Sequence, residues 1–146
     1  MRPARTIQDL ADLEVEAGAF VSMLHPKQDG AMLVTLSGNL GAGKTAFTQA
    51  IARTLGVLEP VTSPTFVLAK SYELSGKEFS KLVHIDAYRL KEGKDLQALD
   101  FAHTLEDSRT LVVLEWPEMV EDGLPSADVA ITLSVRSDTE RDVTYA

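Results

Sequence analysis

The sequence predicts an α/β domain with a mixed, mostly parallel central sheet flanked by helices. Two observations lead there. Short apolar runs bounded by turn residues, at 31–37 and 110–116, read as buried strands. Segments with apolar residues at helical spacing lie between such runs, and strands outnumber helices, so the sheet is read as mixed. Residues 1–146 are read as one domain.

The elements follow in order. Residues 6–24 read as a helix, with Leu10, Leu13, Ala17, Phe20, Val21 and Leu24 on one face. Thr6 can cap it with Asp9 three residues on, and His25-Pro26 stops it. Residues 31–37 form a buried strand. Glycines follow, then a helix over 44–55 closed by Gly56. Residues 65–74 and 81–88 read as two strands joined by a Ser75-Gly76 turn. A helix is expected over 94–105, a strand over 110–116 stopped by Pro117, and closing strands over 127–136 and 141–145.

Composition excludes several classes. Cysteine is absent, so disulfides and thiolate metal sites are ruled out. His25, His84 and His103 are too scattered for a convincing zinc site. No stretch approaches the roughly 20 apolar residues that span a bilayer, and the first residues lack the apolar run of a secretory signal. The expected location is cytoplasmic, with no membrane partner. Fourteen basic residues face 22 acidic ones, a net charge of −8, and no basic block stands out. Nucleic-acid binders cluster Lys and Arg on phosphates, so any nucleic-acid role is expected to run through a partner.

Gly38-Asn39-Leu40-Gly41-Ala42-Gly43-Lys44-Thr45 fits G-x-x-x-x-G-K-[ST], the Walker A pattern, with Ala46 next on the helix. Each residue type has a task. Glycines let successive N–H groups turn toward phosphate oxygens. The following helix presents its positive end to the same anion. Lys44 is placed to reach β- and γ-phosphates, and the Thr45 hydroxyl to ligate Mg²⁺. By chance the pattern is expected in on the order of half a percent of chains this long. The sequence also supplies the required strand before it and helix after it. The expected fold is therefore P-loop NTPase-like, and the expected cofactors are ATP and Mg²⁺. No N-K-x-D-like guanine-reading segment is apparent.

Such a loop needs an acidic residue at the end of a second strand. Glu115 ends Leu111-Val-Val-Leu114, and Asp86 ends Leu82-Val-His-Ile85. A parallel sheet brings strand C-termini to one crevice, which favours both over solvated strand ends. His84 alternates with Asp86 on one strand face. It either orients that carboxylate or is a satisfied core histidine.

With these residues in place, the chain resembles the TsaE (YjeE) family, small bacterial P-loop ATPases of tRNA threonylcarbamoyladenosine biosynthesis. The resemblance runs over residues 38–129 in ordered motifs: the loop at 38–45, Thr62-Ser-Pro-Thr-Phe66, His84-Ile-Asp-Ala-Tyr-Arg-Leu90, Leu114-Glu-Trp-Pro117 and Leu124-Pro125. It implies a slow, Mg²⁺-dependent ATPase that acts on a TsaB–TsaD protein complex, does not itself transfer the threonylcarbamoyl group, and meets tRNA only through that complex. It further implies that Lys44 contacts phosphate and that Thr45 and Glu115 hold the metal. By the same resemblance, Asp86 orders or deprotonates the attacking water, Thr65 senses the γ-phosphate, and Trp116 lies near the nucleotide. Trp116 could equally be core, and Arg89 is either a surface arginine or a group that stabilises charge or meets the partner. Asn39 stands where the family commonly has Asp. Two other readings remain: a small-molecule kinase on the same fold, and a nucleotide-gated binding module.

Overall fold

The computed structural model describes residues 2–62 and 69–146. Its strands are β1 (Arg5–Ile7), β2 (Met32–Ser37), β3 (Ala69–Glu73), β4 (Lys81–Asp86), β5 (Thr110–Glu115), β6 (Val129–Val135) and β7 (Arg141–Tyr145). They form one sheet in the order β1-β7-β6-β2-β5-β4-β3. The inner strands β6, β2, β5 and β4 run parallel. β7, β1 and β3 join antiparallel toward the two edges. The sheet is mixed, as the excess of strands over helices predicts.

Helices α1 (Leu10–Ser22) and α2 (Lys44–Thr54) cover one face. There Phe20, Phe47 and Ile51 pack on Leu36, Leu82 and Val113. The opposite face carries a 3-10 segment, Gly93–Leu99, and the one-turn helix α3 (Phe101–Thr104). Leu96, Phe101 and Val120 pack there on Leu33, Ile85 and Leu114. Strand side chains alternate between faces. With both faces covered, every residue of β5 is buried, which explains its unbroken apolar run.

The first predicted helix needs correction. Residues 5–7 are a strand, because they pair with β7: Thr6 sits opposite Asp142 and donates its hydroxyl to that carboxylate at 2.8 Å. The cap of α1 is Asp9, extended at φ −159°, whose Oδ1 accepts from Asp12 N at 2.8 Å. Starting later, α1 buries Leu13, Ala17 and Phe20 and leaves Leu10 75% exposed. The predicted helix over 94–105 is also broken. Asp100 takes a left-handed turn at φ 57°, dividing the 3-10 segment from α3. The strand predicted over 81–88 ends at Asp86, and that over 110–116 at Glu115. Of the strand predicted over 65–74, residues 65–68 lie outside the described residues.

Gly93 and Gly123 press against each other under this second face. A Cβ added at Gly93 would lie 2.2 Å from Gly123 N, in backbone that cannot step aside. Gly93→Ala is therefore expected to destabilise by about 1–3 kcal/mol through overpacking. Gly18, inside α1, meets nothing nearer than Thr54 Oγ1 at 3.9 Å. Gly18→Ala is expected to stabilise by roughly 0.5–1 kcal/mol, because alanine loses less backbone entropy in a helix. Thermal unfolding of both variants checks the pair. Equal Tm values would refute the close approach.

Candidate functional site

β2 ends at Ser37 between β5 and β6, and the chain turns through residues 38–43 into α2. The C-terminal ends of β2, β5 and β4 lie side by side there, with Leu36 opposite Glu115 and Glu115 opposite Asp86. Crevices at parallel strand ends are where ligands bind in such sheets.

Two glycines make the turn possible. At Gly38, φ is 151° and a Cβ would lie 2.4 Å from Leu133 O, so the loop can leave β2 only over a bare Cα. Gly43 caps α2 in a left-handed conformation, φ 102°, and offers no side-chain acceptor. The first amides of α2 thus take no side-chain cap, which leaves an anion-binding helix end.

Lys44 starts α2 and is 5% exposed. Its ammonium donates to Gly38 O at 2.5 Å and Asn39 O at 3.0 Å. It also lies 4.0 Å from the centroid of the Trp116 ring, a cation–π contact. Burial lowers the Lys44 pKa, and the charges of Glu115, Glu118 and Asp86 oppose that shift.

Trp116 has left the strand. Its φ is 62°, a region that costs a non-glycine residue about 1–3 kcal/mol unless surroundings impose it. Its amide donates to Leu36 O at 3.2 Å, and its ring stands 4.9 Å from that of Tyr88. The ring lines a cavity together with Lys44 and also packs at the margin of the core.

Glu115 is 2% exposed. Its Oε1 accepts from Thr45 Oγ1 at 3.0 Å, and its Oε2 lies 2.6 Å from His84 Nε2. Asp86 turns the chain off β4: its Oδ1 accepts from Tyr88 N at 3.0 Å. His84 therefore meets Glu115, one strand away, rather than Asp86 on its own strand. In the register His84 faces Val113 and Asp86 faces Glu115, so the contact is a diagonal one between adjacent strands, within reach of two long side chains.

These groups surround one cavity of about 360 Å³. Leu40, Gly41, Gly43, Lys44, Thr45, Ala46, Asp86, Tyr88, Arg89, Glu115 and Trp116 line it. Gly38, Asn39 and Ala42 shape the loop behind it, with Ala42 fully buried. Thr65 lies outside the described residues. Next to this cavity is an apolar one of about 600 Å³, lined by Ile7, Leu10, Leu13 and Leu133, with Ala42, Gly43 and Ala46 shared with the loop. Arg141 stands at its rim and donates to Gly41 O at 3.4 Å. Sequence reading missed this second cavity. Much of its wall comes from the two ends of the chain, which the β1–β7 pairing and the Phe20–Tyr145 ring stack hold together.

The donor set near Lys44 is a hydroxyl and a carboxylate, hard oxygens that suit Mg²⁺. Among the described residues, no group of three or more His, Cys, Asp or Glu could cage a metal alone. Mg²⁺ does not need such a cage, because one or two carboxylates plus phosphate oxygens complete its shell.

A family model described as "Threonylcarbamoyl adenosine biosynthesis protein TsaE" matches residues 7–143. The chain belongs to the TsaE family. It is 35% identical over 143 residues to the TsaE of Treponema pallidum, covering 98% of this chain and 97% of that one. The Bacillus subtilis TsaE is 35% identical over 114 residues, 77% of this chain and 68% of the relative. The Streptomyces coelicolor TsaE is 49% identical over 87 residues, 59% and 57% of the two chains. Among solved structures, Bacillus subtilis YdiB superposes with a TM-score of 0.72 at 27% identity, over 97% of this chain and 82% of YdiB. TsaE proteins take part in tRNA threonylcarbamoyladenosine biosynthesis. The α/β fold with its P-loop architecture is the one the sequence predicts. No helix among the described residues is long and apolar enough to cross a membrane.

Proposed function

We propose that this TsaE chain binds ATP with Mg²⁺ and slowly hydrolyses the β–γ phosphoanhydride. We propose further that its partner is a cytoplasmic TsaB–TsaD complex, that it meets tRNA only through that complex, and that it leaves the threonylcarbamoyl transfer to that complex. One observation carries the reading. A glycine loop with an uncapped helix end, Lys44, and the Thr45–Glu115 pair converge on one cavity.

Roles follow from chemistry. The loop amides of 39–45 would cradle phosphate oxygens. Lys44 would give up its contacts with Gly38 O and Asn39 O to meet the β- and γ-phosphates. Thr45 and Glu115 would hold Mg²⁺, which supplies charge neutralisation when bound. The Asp86 carboxylate, at the same cavity, would order the attacking water and accept its proton. Trp116 would flank the phosphates, and Thr65 is assigned to sense the γ-phosphate. The apolar cavity beside Gly43 and Ala46 suits a base and its ribose. A net charge of −8 favours a protein partner over direct tRNA binding.

The test is a pull-down of the purified chain with its host's TsaB–TsaD pair, without nucleotide, with ATP, and with a non-hydrolysable analogue. Nucleotide-dependent retention is expected with both ligands, and repeated rounds of tRNA modification with ATP alone. Equal rounds with the analogue would make the chain a nucleotide-gated module instead of an ATPase. No retention under any condition would remove the partner.

A further inference from the structure

We propose that His84 is a positioning residue for the cation site: it pins one oxygen of Glu115 so that the other faces the Mg²⁺ of the bound nucleotide. This rests on the nucleotide reading above and names a residue that reading does not use.

The case begins with burial. His84 is fully buried on β4, on the sheet face covered by α2, and Glu115 is 2% exposed. The Nε2 to Oε2 distance of 2.6 Å is short for a nitrogen donor on a carboxylate. The second histidine nitrogen, Nδ1, has no hydrogen-bond partner among the described residues. The ring's polar contact is therefore with Glu115. A histidine kept only to fill volume would be better replaced by an apolar side chain, since an orphaned buried nitrogen carries a cost.

Donor counting shows that His84 cannot be spared. Thr48 Oγ1 lies 3.5 Å from Glu115 Oε2 but 3.0 Å from Lys44 O. A hydroxyl has one proton, and the shorter contact takes it. His84 is then the strong donor on Oε2. Thr45 holds Oε1 at 3.0 Å, and a hydroxyl can keep that bond while its lone pairs face a cation. The last torsion of Glu is broad and roughly two-fold. Without a donor on Oε2, the carboxylate turns and no longer presents a fixed oxygen. Carboxylates that hold metals are commonly oriented by such hydrogen bonds, and losing one typically weakens metal binding about 10–100-fold.

Two variants separate donor from filler. His84→Leu fills similar space with no donor, whereas His84→Gln keeps an N–H at a comparable reach. Each would be checked for folding by thermal unfolding. Mn²⁺ binding to the protein–ATP complex would be read by electron paramagnetic resonance. ATP binding in EDTA would be read by fluorescence of Trp116, the only tryptophan of the chain. His84→Leu is expected to weaken Mn²⁺ binding about 10–100-fold and to leave ATP affinity in EDTA unchanged. His84→Gln is expected to recover most of the loss. In a Glu115→Ala background, His84→Leu should have no further effect on Mn²⁺. Wild-type Mn²⁺ affinity in His84→Leu overturns the proposal, and so does a His84→Gln variant as weak as His84→Leu. Failure of the unmodified protein to bind ATP in any condition is a separate result. It overturns the nucleotide reading, and this proposal with it.

Discussion

Lys44→Ala is expected to lower ATP turnover by about 10²–10³-fold, the range seen when one preorganised donor is removed from developing charge. The structure shows why the loss should be large. Lys44 is 5% exposed and sits between the carbonyls of Gly38 and Asn39 and the ring of Trp116. Its ammonium is thus already desolvated, and burial lowers its pKa. Such a charge meets a phosphate with little further dehydration, so its attraction is stronger than that of a solvated lysine. Within the loop the remaining donors are backbone amides, which carry partial charge only, and Arg89 is the other cation that lines the cavity. Phosphate release and nucleotide titration would be measured on the variant, with circular dichroism to show that α2 still forms. Turnover equal to that of the unmodified chain would end the proposed use of this cavity. Lys44→Arg should also fail in large part, because a planar guanidinium cannot occupy the pocket of a compact ammonium under Trp116.

Glu115→Ala is expected to separate turnover from binding. Mg²⁺-dependent hydrolysis should fall on the order of 10²–10³-fold through the lost charge and lost metal anchor. ATP affinity in EDTA should stay level or improve. Without a cation, the buried carboxylate at this cavity would repel a bound polyphosphate. Removing it also frees Thr45 Oγ1 and His84 Nε2, which both point at this side chain. Phosphate release across a Mg²⁺ series, set beside ATP titration in EDTA, reads both effects. Unchanged turnover would move the metal role to Asp86, the other carboxylate of the cavity.

The fold class and the centre of the site were legible because their signals are local. A parallel strand buried on both faces must be an unbroken apolar run, as in Leu111-Val-Val-Leu114. The loop at 38–45 is one continuous segment, and its glycines and lysine are recognisable without knowing what surrounds them. Trp116 illustrates the boundary. Its position after Glu115 is in the sequence, but its left-handed backbone and its place over Lys44 are set by contacts with Leu36 and Tyr88.

By itself, then, the sequence determined the central strand segments, the glycine loop and the acidic residues at two strand ends, since each depends on neighbours within a few positions. Tertiary structure alone decided three things. Pairing with β7 made residues 5–7 a strand instead of a first helical turn. The same union of chain ends built the apolar cavity beside the loop. The pairing of β4 with β5 set Glu115 diagonally across from His84, where the two side chains meet. All three are contacts between segments far apart along the chain, and local periodicity carries no record of which distant strand will lie alongside.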